Sequence, residues 1–201
     1  MIITIGRQLC SGGRDIGKKL SEKLGIAYYD RELIAIAAKE SGLSEKLFEE
    51  ADERTHKGIA PGLLGTRFPF LGENMLAYRV LSDDTFFKIQ SDVIRNLAEK
   101  NSCIFIGRCA DYILRDRKDL LRIFLSANEN DRISRIMELE KVSVEKARNI
   151  LEHADKKRST YYNYYTNKTW GSSAGYDLCL NTSLFGIDGT VTLIEEIAEK
   201  I

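Results

Sequence analysis

Met1-Ile2-Ile3-Thr4-Ile5 is a β-branched run that stops at Gly6, and the residues after it form a turn holding Ser11-Gly12-Gly13. Directly beyond that turn, Ile16, Leu20 and Leu24 recur every four residues while Lys18, Lys19, Ser21 and Lys23 point elsewhere. The first pattern predicts a buried strand and the second an amphipathic helix that Gly25 ends. A strand that feeds a helix through a short glycine-containing turn is the first half of a βαβ unit, which commits the chain to a parallel sheet.

The rest of the chain repeats the theme. Ile26–Tyr29, Cys103–Ile106, Leu121–Leu125 and Tyr176–Leu180 read as further strands. Cys103–Ile106 is continuously apolar and stops at Gly107, as expected of a strand covered on both faces. Helical spacing covers residues 32–39, 44–53, 86–99, 129–141, 143–152, 155–168 and 190–201, with Ser143 placed to cap its helix. Residues 58–72 hold four glycines and both prolines among phenylalanines and leucines, the composition of a loop that folds over something. The expected fold class is α/β, a three-layer parallel sheet with helices on both faces. In such sheets ligands bind at the carboxyl ends of the strands.

Composition narrows the partners. Thirty Lys and Arg balance thirty Asp and Glu across 201 residues, so there is no surplus of the kind a polyanion binder needs. No apolar stretch reaches membrane-spanning length, and Met1–Ile5 lacks the basic and apolar regions of a signal peptide. Cys10, Cys103, Cys109 and Cys179 have no metal-binding spacing and read as free thiols in a cytoplasmic protein. His56 and His153 are isolated, which leaves zinc chemistry and hydrolytic triads without residues to carry them. The neutral total is uneven: within the first twenty residues Arg7, Arg14, Lys18 and Lys19 face Asp15 alone. Positive charge also gathers at Arg108, Arg132 and Arg158.

A glycine-containing turn that opens a helix aims free amides and the positive end of the helix dipole at one point, where phosphate is the natural occupant. A plain strand–helix turn that needs glycine for its dihedrals would carry the same letters. The aromatic run Tyr161-Tyr162-Asn163-Tyr164-Tyr165 suggests base stacking. Tyr161 and Tyr165, four apart on a helix, more simply pack against a neighbour.

The blocks Ile3–Leu20, Leu24-Gly25-Ile26-Ala27-Tyr28-Tyr29-Asp30, Ile106-Gly107-Arg108-Cys109-Ala110-Asp111-Tyr112 and Ile123–Ala127 resemble the cytidylate kinase-like family. The likeness continues through Arg132 and Arg135, Asp155-Lys156-Lys157-Arg158, and Tyr176–Thr182. These segments run in family order over nearly the whole chain. The family is related to the cytidylate kinases, P-loop nucleoside-monophosphate kinases.

The resemblance implies a fold of P-loop NTPase or nucleoside-monophosphate kinase type with a helical insert and a lid. It would be one kinase-like domain over 1–201, with core 1–30, 86–128 and 174–201. The acceptor-binding insert would span about 31–85 and the lid about 129–173. It implies ATP and Mg²⁺ as cofactors and phosphoryl transfer to a nucleoside monophosphate of CMP or dCMP type.

Ser11, Gly12, Gly13, Arg14, Asp15 and Lys18 would then hold the donor phosphates, with Asp15 as the metal carboxylate. Asp30, Arg31, Arg108, Asp111, Asp155 and Arg158 would meet the acceptor. Arg14, Arg108, Arg132 and Arg158 would serve the transferred group. The chain also departs from the P-loop pattern GxxxxGK[ST]. Aligned without a gap to the form GxxxxGKG[ST] of cytidylate kinases, Arg7 replaces the first glycine, Gly13 the lysine, Arg14 the next glycine and Asp15 the hydroxyl residue. Arg14 or Lys18 would stand in for the lysine. The departure keeps a second class open, a nucleotide-binding regulatory module that has lost phosphotransfer.

Overall fold

The computed structural model describes residues 1–30, 36, 39 and 83–200. The expected helix over 44–53 and loop over 58–72 lie outside them. So does the helix over 32–39, apart from residues 36 and 39, which are helical. The chain divides into two compact units, 1–30 with 95–201, and 31–94.

The first unit is built on a five-stranded sheet. Its strands are β1 (Ile2–Arg7), β2 (Ala27–Tyr29), β3 (Cys103–Ile106), β4 (Leu120–Ser126) and β5 (Leu178–Asn181). They lie in the order β2-β3-β1-β4-β5 and every pair is parallel. The helices among the described residues are α1 (Gly13–Leu24), α2 (Asp83–Lys100), α3 (Ala110–Ile113), α4 (Glu129–Glu140), α5 (Val144–Thr166) and α6 (Thr182–Ala198).

Alternation along the strands decides the layers. Ile3, Ile5, Ile104, Ile106, Leu121, Ile123 and Leu125 point to one face and meet Ile16 and Leu20 of α1 and Val191 and Ile194 of α6. Each fully buried side chain of this kind contributes roughly 1.5–3 kcal/mol. The opposite face carries aromatic contacts. Phe105 stacks on Tyr29 at 5.4 Å between ring centres, and Phe124 meets Trp170 and Tyr176 at 5.2 and 5.1 Å. Tyr162 of α5 lies 6.4 Å from Tyr176. The sheet is therefore covered on both faces.

Several boundaries differ from the sequence reading. β1 runs on through Gly6 and Arg7, because the longer β4 offers Phe124 and Leu125 as partners. Helices expected separately over 143–152 and 155–168 are one, since neither glycine nor proline interrupts residues 152–156. Ser143 caps α5 by accepting from the Lys146 amide at 3.3 Å. β5 begins at Leu178 rather than Tyr176, whose side chain joins the aromatic cluster. α6 begins at Thr182, eight residues early, with a break at Gly186 (φ 68°, ψ 178°) that separates a first turn from the expected helix.

Tyr161 and Tyr162 are buried, and Tyr161 packs on Tyr165 at 4.9 Å. Tyr161, Tyr162 and Tyr165 therefore serve packing, while Tyr164 is exposed. The cysteines are free thiols. Among the described residues no helix is long and apolar enough to cross a membrane.

Candidate active site

β1 and β3 end side by side, and the Gly107 amide donates to Ile5 C=O at 3.0 Å. β1 leads into loop 8–12, and Gly12, in the left-handed region at φ 79°, precedes α1. Carbonyls 7, 9, 10 and 11 are held by donors on other helices, while Gly12 C=O accepts from the Ile16 amide of α1 at 3.0 Å. Arg132 Nε donates to Leu9 C=O at 2.7 Å and Arg135 Nη1 to Cys10 C=O at 2.7 Å. Thr182 Oγ1 donates to Ser11 C=O at 2.8 Å, and Arg158 Nη1 to Arg7 C=O at 3.2 Å. The amides of Gly12, Gly13, Arg14 and Asp15 find no acceptor among the described residues. Unsatisfied amides at a helix N-terminus favour an anion.

Arg7 dominates this corner. Its stem crosses Gly13, where an added Cβ would lie 2.9 Å from Arg7 Cβ and Cγ. Its head lies over Gly107, where a Cβ would fall 2.0 Å from Nη1. Both glycines thus make room for one side chain, which is only 18% exposed. Asp30, at the end of β2, faces Arg7 at 3.5 Å and binds Arg14 Nε at 2.7 Å. Burial, together with Arg158, Arg108 and Arg14, pushes the Arg7 guanidinium down to about 9 against the pull of Asp30. Burial also pushes Arg158 down, opposed by Asp155. Arg14, Arg108 and Arg158 thus all act electrostatically on Arg7, an arrangement suited to a multiply charged anion.

Gly107, Arg108 and Cys109 have φ of 71°, 60° and 55° in succession. For two non-glycine residues this is costly backbone, of a kind that concentrates at functional sites. Cys109 is buried, and burial raises its thiol well above the ordinary range.

A family model for the cytidylate kinase-like family matches residues 2–184. The chain belongs to that family. This cytidylate kinase-like chain is also 28% identical to a cytidylate kinase from Methanothrix thermoacetophila, over 96% of its own length and 95% of the relative's. The crystal structure of an uncharacterized protein from Eubacterium ventriosum superposes with a TM-score of 0.73 at 27% identity, covering 100% and 99% of the two chains. Shikimate kinase from Bacteroides thetaiotaomicron shares the fold at a TM-score of 0.57 and 14% identity, over 99% and 98% of the chains.

Within this kinase-like frame, the expected residues fall into separate groups. Arg14, Arg108 and Arg158 come together around Arg7. Ser11 is buried, its hydroxyl donating to Gln8 C=O at 3.0 Å, while Asp15 and Lys18 are exposed on α1. Arg132 and Asp155 pair with each other beneath loop 8–12. Asp111 is buried in α3 and accepts from Tyr162 OH at 2.7 Å, and burial raises its carboxyl above the usual range. Arg31 lies outside the described residues. The residue that the sequence reading left out of its site is Arg7. The available signal was its position: a cation just past the apolar run of β1, at the sheet edge where ligands bind.

Proposed function

We propose that this chain transfers a phosphoryl group from ATP to a nucleoside monophosphate of the CMP or dCMP type. The observation that carries the reading is the convergence of Arg7, Arg14, Arg108 and Arg158 beside the N-terminus of α1. Phosphoryl transfer makes little covalent demand on a protein. It needs two anionic nucleotides held in line and their charge neutralised.

In this reading the amides of Gly12 to Asp15 take the donor phosphates, helped by Ser11 in shaping the loop and by Arg14 and Lys18. Arg7 stays fixed at the strand end and supplies charge that the absent P-loop lysine would have brought. Arg108 and Arg158 face the acceptor phosphate and the transferred group. Asp30, with Arg31 next in sequence, meets the acceptor nucleoside.

Mg²⁺ fits as a companion of the nucleotide. Among the described residues no three His, Cys, Asp or Glu side chains form a metal cage, and Asp15 is the carboxylate in the first turn of α1. Magnesium commonly uses one or two carboxylates and phosphate oxygens. When bound it would neutralise charge on the donor phosphates.

The test is ADP formation by purified protein from ATP and Mg²⁺ with CMP, dCMP, UMP or AMP. Turnover with a pyrimidine monophosphate is expected, and none with any of the four defeats the reading. One observation favours a regulatory nucleotide-binding module instead: Gly13 occupies the P-loop lysine position, and Asp30 already holds Arg14. Calorimetry that finds nucleotide binding without turnover would select that module.

A further inference from the structure

We propose that Arg132 and Asp155 are positioning residues that hold loop 8–12 in its anion-accepting form without touching the anion. The proposal rests on the phosphate-loop reading above and assigns these two side chains a role behind the loop.

The Leu9 backbone is gripped from both sides. Its amide donates to Asp155 Oδ1 at 2.8 Å, its carbonyl accepts from Arg132 Nε at 2.7 Å, and Arg132 Nη2 bonds Asp155 Oδ2. Leu9, Arg132 and Asp155 thus close a ring. Arg132 is 4% exposed, and its Nε and Nη2 are both engaged within this ring.

The two side chains stand on α4 and α5, whose shared core is Ile133, Ile136, Ala147 and Leu151. Leu9 and Cys10 pack against that core, so apolar contact and the ion pair act on the same residues. Cys10 sits at φ 56°, a left-handed conformation that is costly for a non-glycine residue. Such strain persists only where the surroundings over-determine it.

The physical consequence is polarity. Carbonyls 7, 9, 10 and 11 are turned toward donors on α4, α5 and α6, which leaves the amides of residues 12–15 to face the ligand. Releasing Leu9 frees the loop to rotate a carbonyl toward the anion, which repels it.

Titration calorimetry with inorganic pyrophosphate, repeated over a range of salt concentration, tests this. Asp155→Ala is the discriminating variant, because removing a carboxylate near an anion site should by charge alone tighten binding. Positioning instead predicts at least ~10-fold weaker binding, with Arg132→Ala equally weak and the double variant no worse than either single one. Asp155→Asn keeps an oxygen for the Leu9 amide and should recover most of the affinity.

The salt dependence of Arg132→Ala should match wild type, because screening acts on a charge that meets the anion. Thermal unfolding of each variant confirms that it folds, and Arg132→Lys and Asp155→Asn are read alone if the alanine forms do not. Wild-type affinity in folded Asp155→Ala, or a shallower salt dependence in Arg132→Ala, overturns the proposal. The same holds for wild-type affinity in Arg132→Lys where only the conservative pair folds. Failure of the wild-type protein to bind either pyrophosphate or ATP overturns the phosphate-loop reading as well.

Discussion

Arg14 Nε lies 2.7 Å from Asp30 Oδ2, joining the first turn of α1 to the end of β2. The other oxygen of the same carboxylate faces Arg7 at 3.5 Å, so one acid serves two cations. Arg14 is 61% exposed and can leave, whereas Arg7 is enclosed. Replacing Asp30 by Asn should therefore act in opposite senses on stability and on anion affinity. Free protein should lose about 2 kcal/mol, between the values for surface and buried pairs, and melt several degrees lower. Pyrophosphate should bind roughly 5-fold more tightly, from about 1 kcal/mol of relieved repulsion. Calorimetry showing weaker pyrophosphate binding would contradict the assignment.

Arg7→Met isolates the buried cation. The folded-state value of about 9 lies well below the ordinary guanidinium range, so folding disfavours the charged form and stability is lost at every pH below about 9. A guanidinium keeps its proton, and the penalty persists until an anion arrives. Without anions at pH 7, Arg7→Met should melt no lower than wild type. Saturating pyrophosphate should raise the wild-type melting temperature by several degrees and leave the variant unmoved. An equal shift in both proteins would remove Arg7 from the site.

Gly107→Ala should couple to Arg7. The added methyl meets Arg7 Nη1 at 2.0 Å, and alanine at φ 71° also costs roughly 1–2 kcal/mol. With Arg7→Ala in the background only the second cost remains. A double-mutant cycle on unfolding free energy should return a coupling of at least ~1 kcal/mol. Strict additivity would mean that the side chain occupies another place.

Asp111 gives a pH signature. Burial, opposed by the Tyr162 hydrogen bond, raises its carboxyl in the folded state, so the native protein holds this proton more tightly than the unfolded chain. The group's contribution to stability is then fully present below the unfolded value near 4 and is lost as pH rises through the folded one. Asp111→Asn, which keeps an oxygen for Tyr162, should gain stability relative to wild type as pH rises above about 4. A flat difference between the two melting profiles would show that the carboxyl is not strained.

Much of the architecture was legible from local pattern. Mostly apolar runs ending in Gly, Asp, Ser or Asn located the strands, four-residue spacing located α1, and Ser143 marked the start of α5. Boundaries failed where a partner strand set them, as when β4 drew Gly6 and Arg7 into β1, or where a helix crossed a stretch with nothing to stop it. The basic residues of the candidate site stood out in the sequence, but which groups each of them contacts did not. By the family resemblance Arg132 and Arg158 serve the transferred group, and Asp155 and Arg158 the acceptor. In the fold, Arg158 joins the guanidinium cluster while Arg132 and Asp155 grip Leu9 from behind.

Periodicity and residue type act over a few neighbours, so the sequence by itself determined the βαβ order, the glycine-containing turn and the gathering of basic residues near strand ends. Only the tertiary structure decided that Arg7 threads past Gly13 and Gly107, 6 and 100 residues away along the chain, and which carboxylate each arginine meets. Electrostatic energy depends on distance in space and on burial, and both are settled when the sheet sets β1, β2 and β3 side by side.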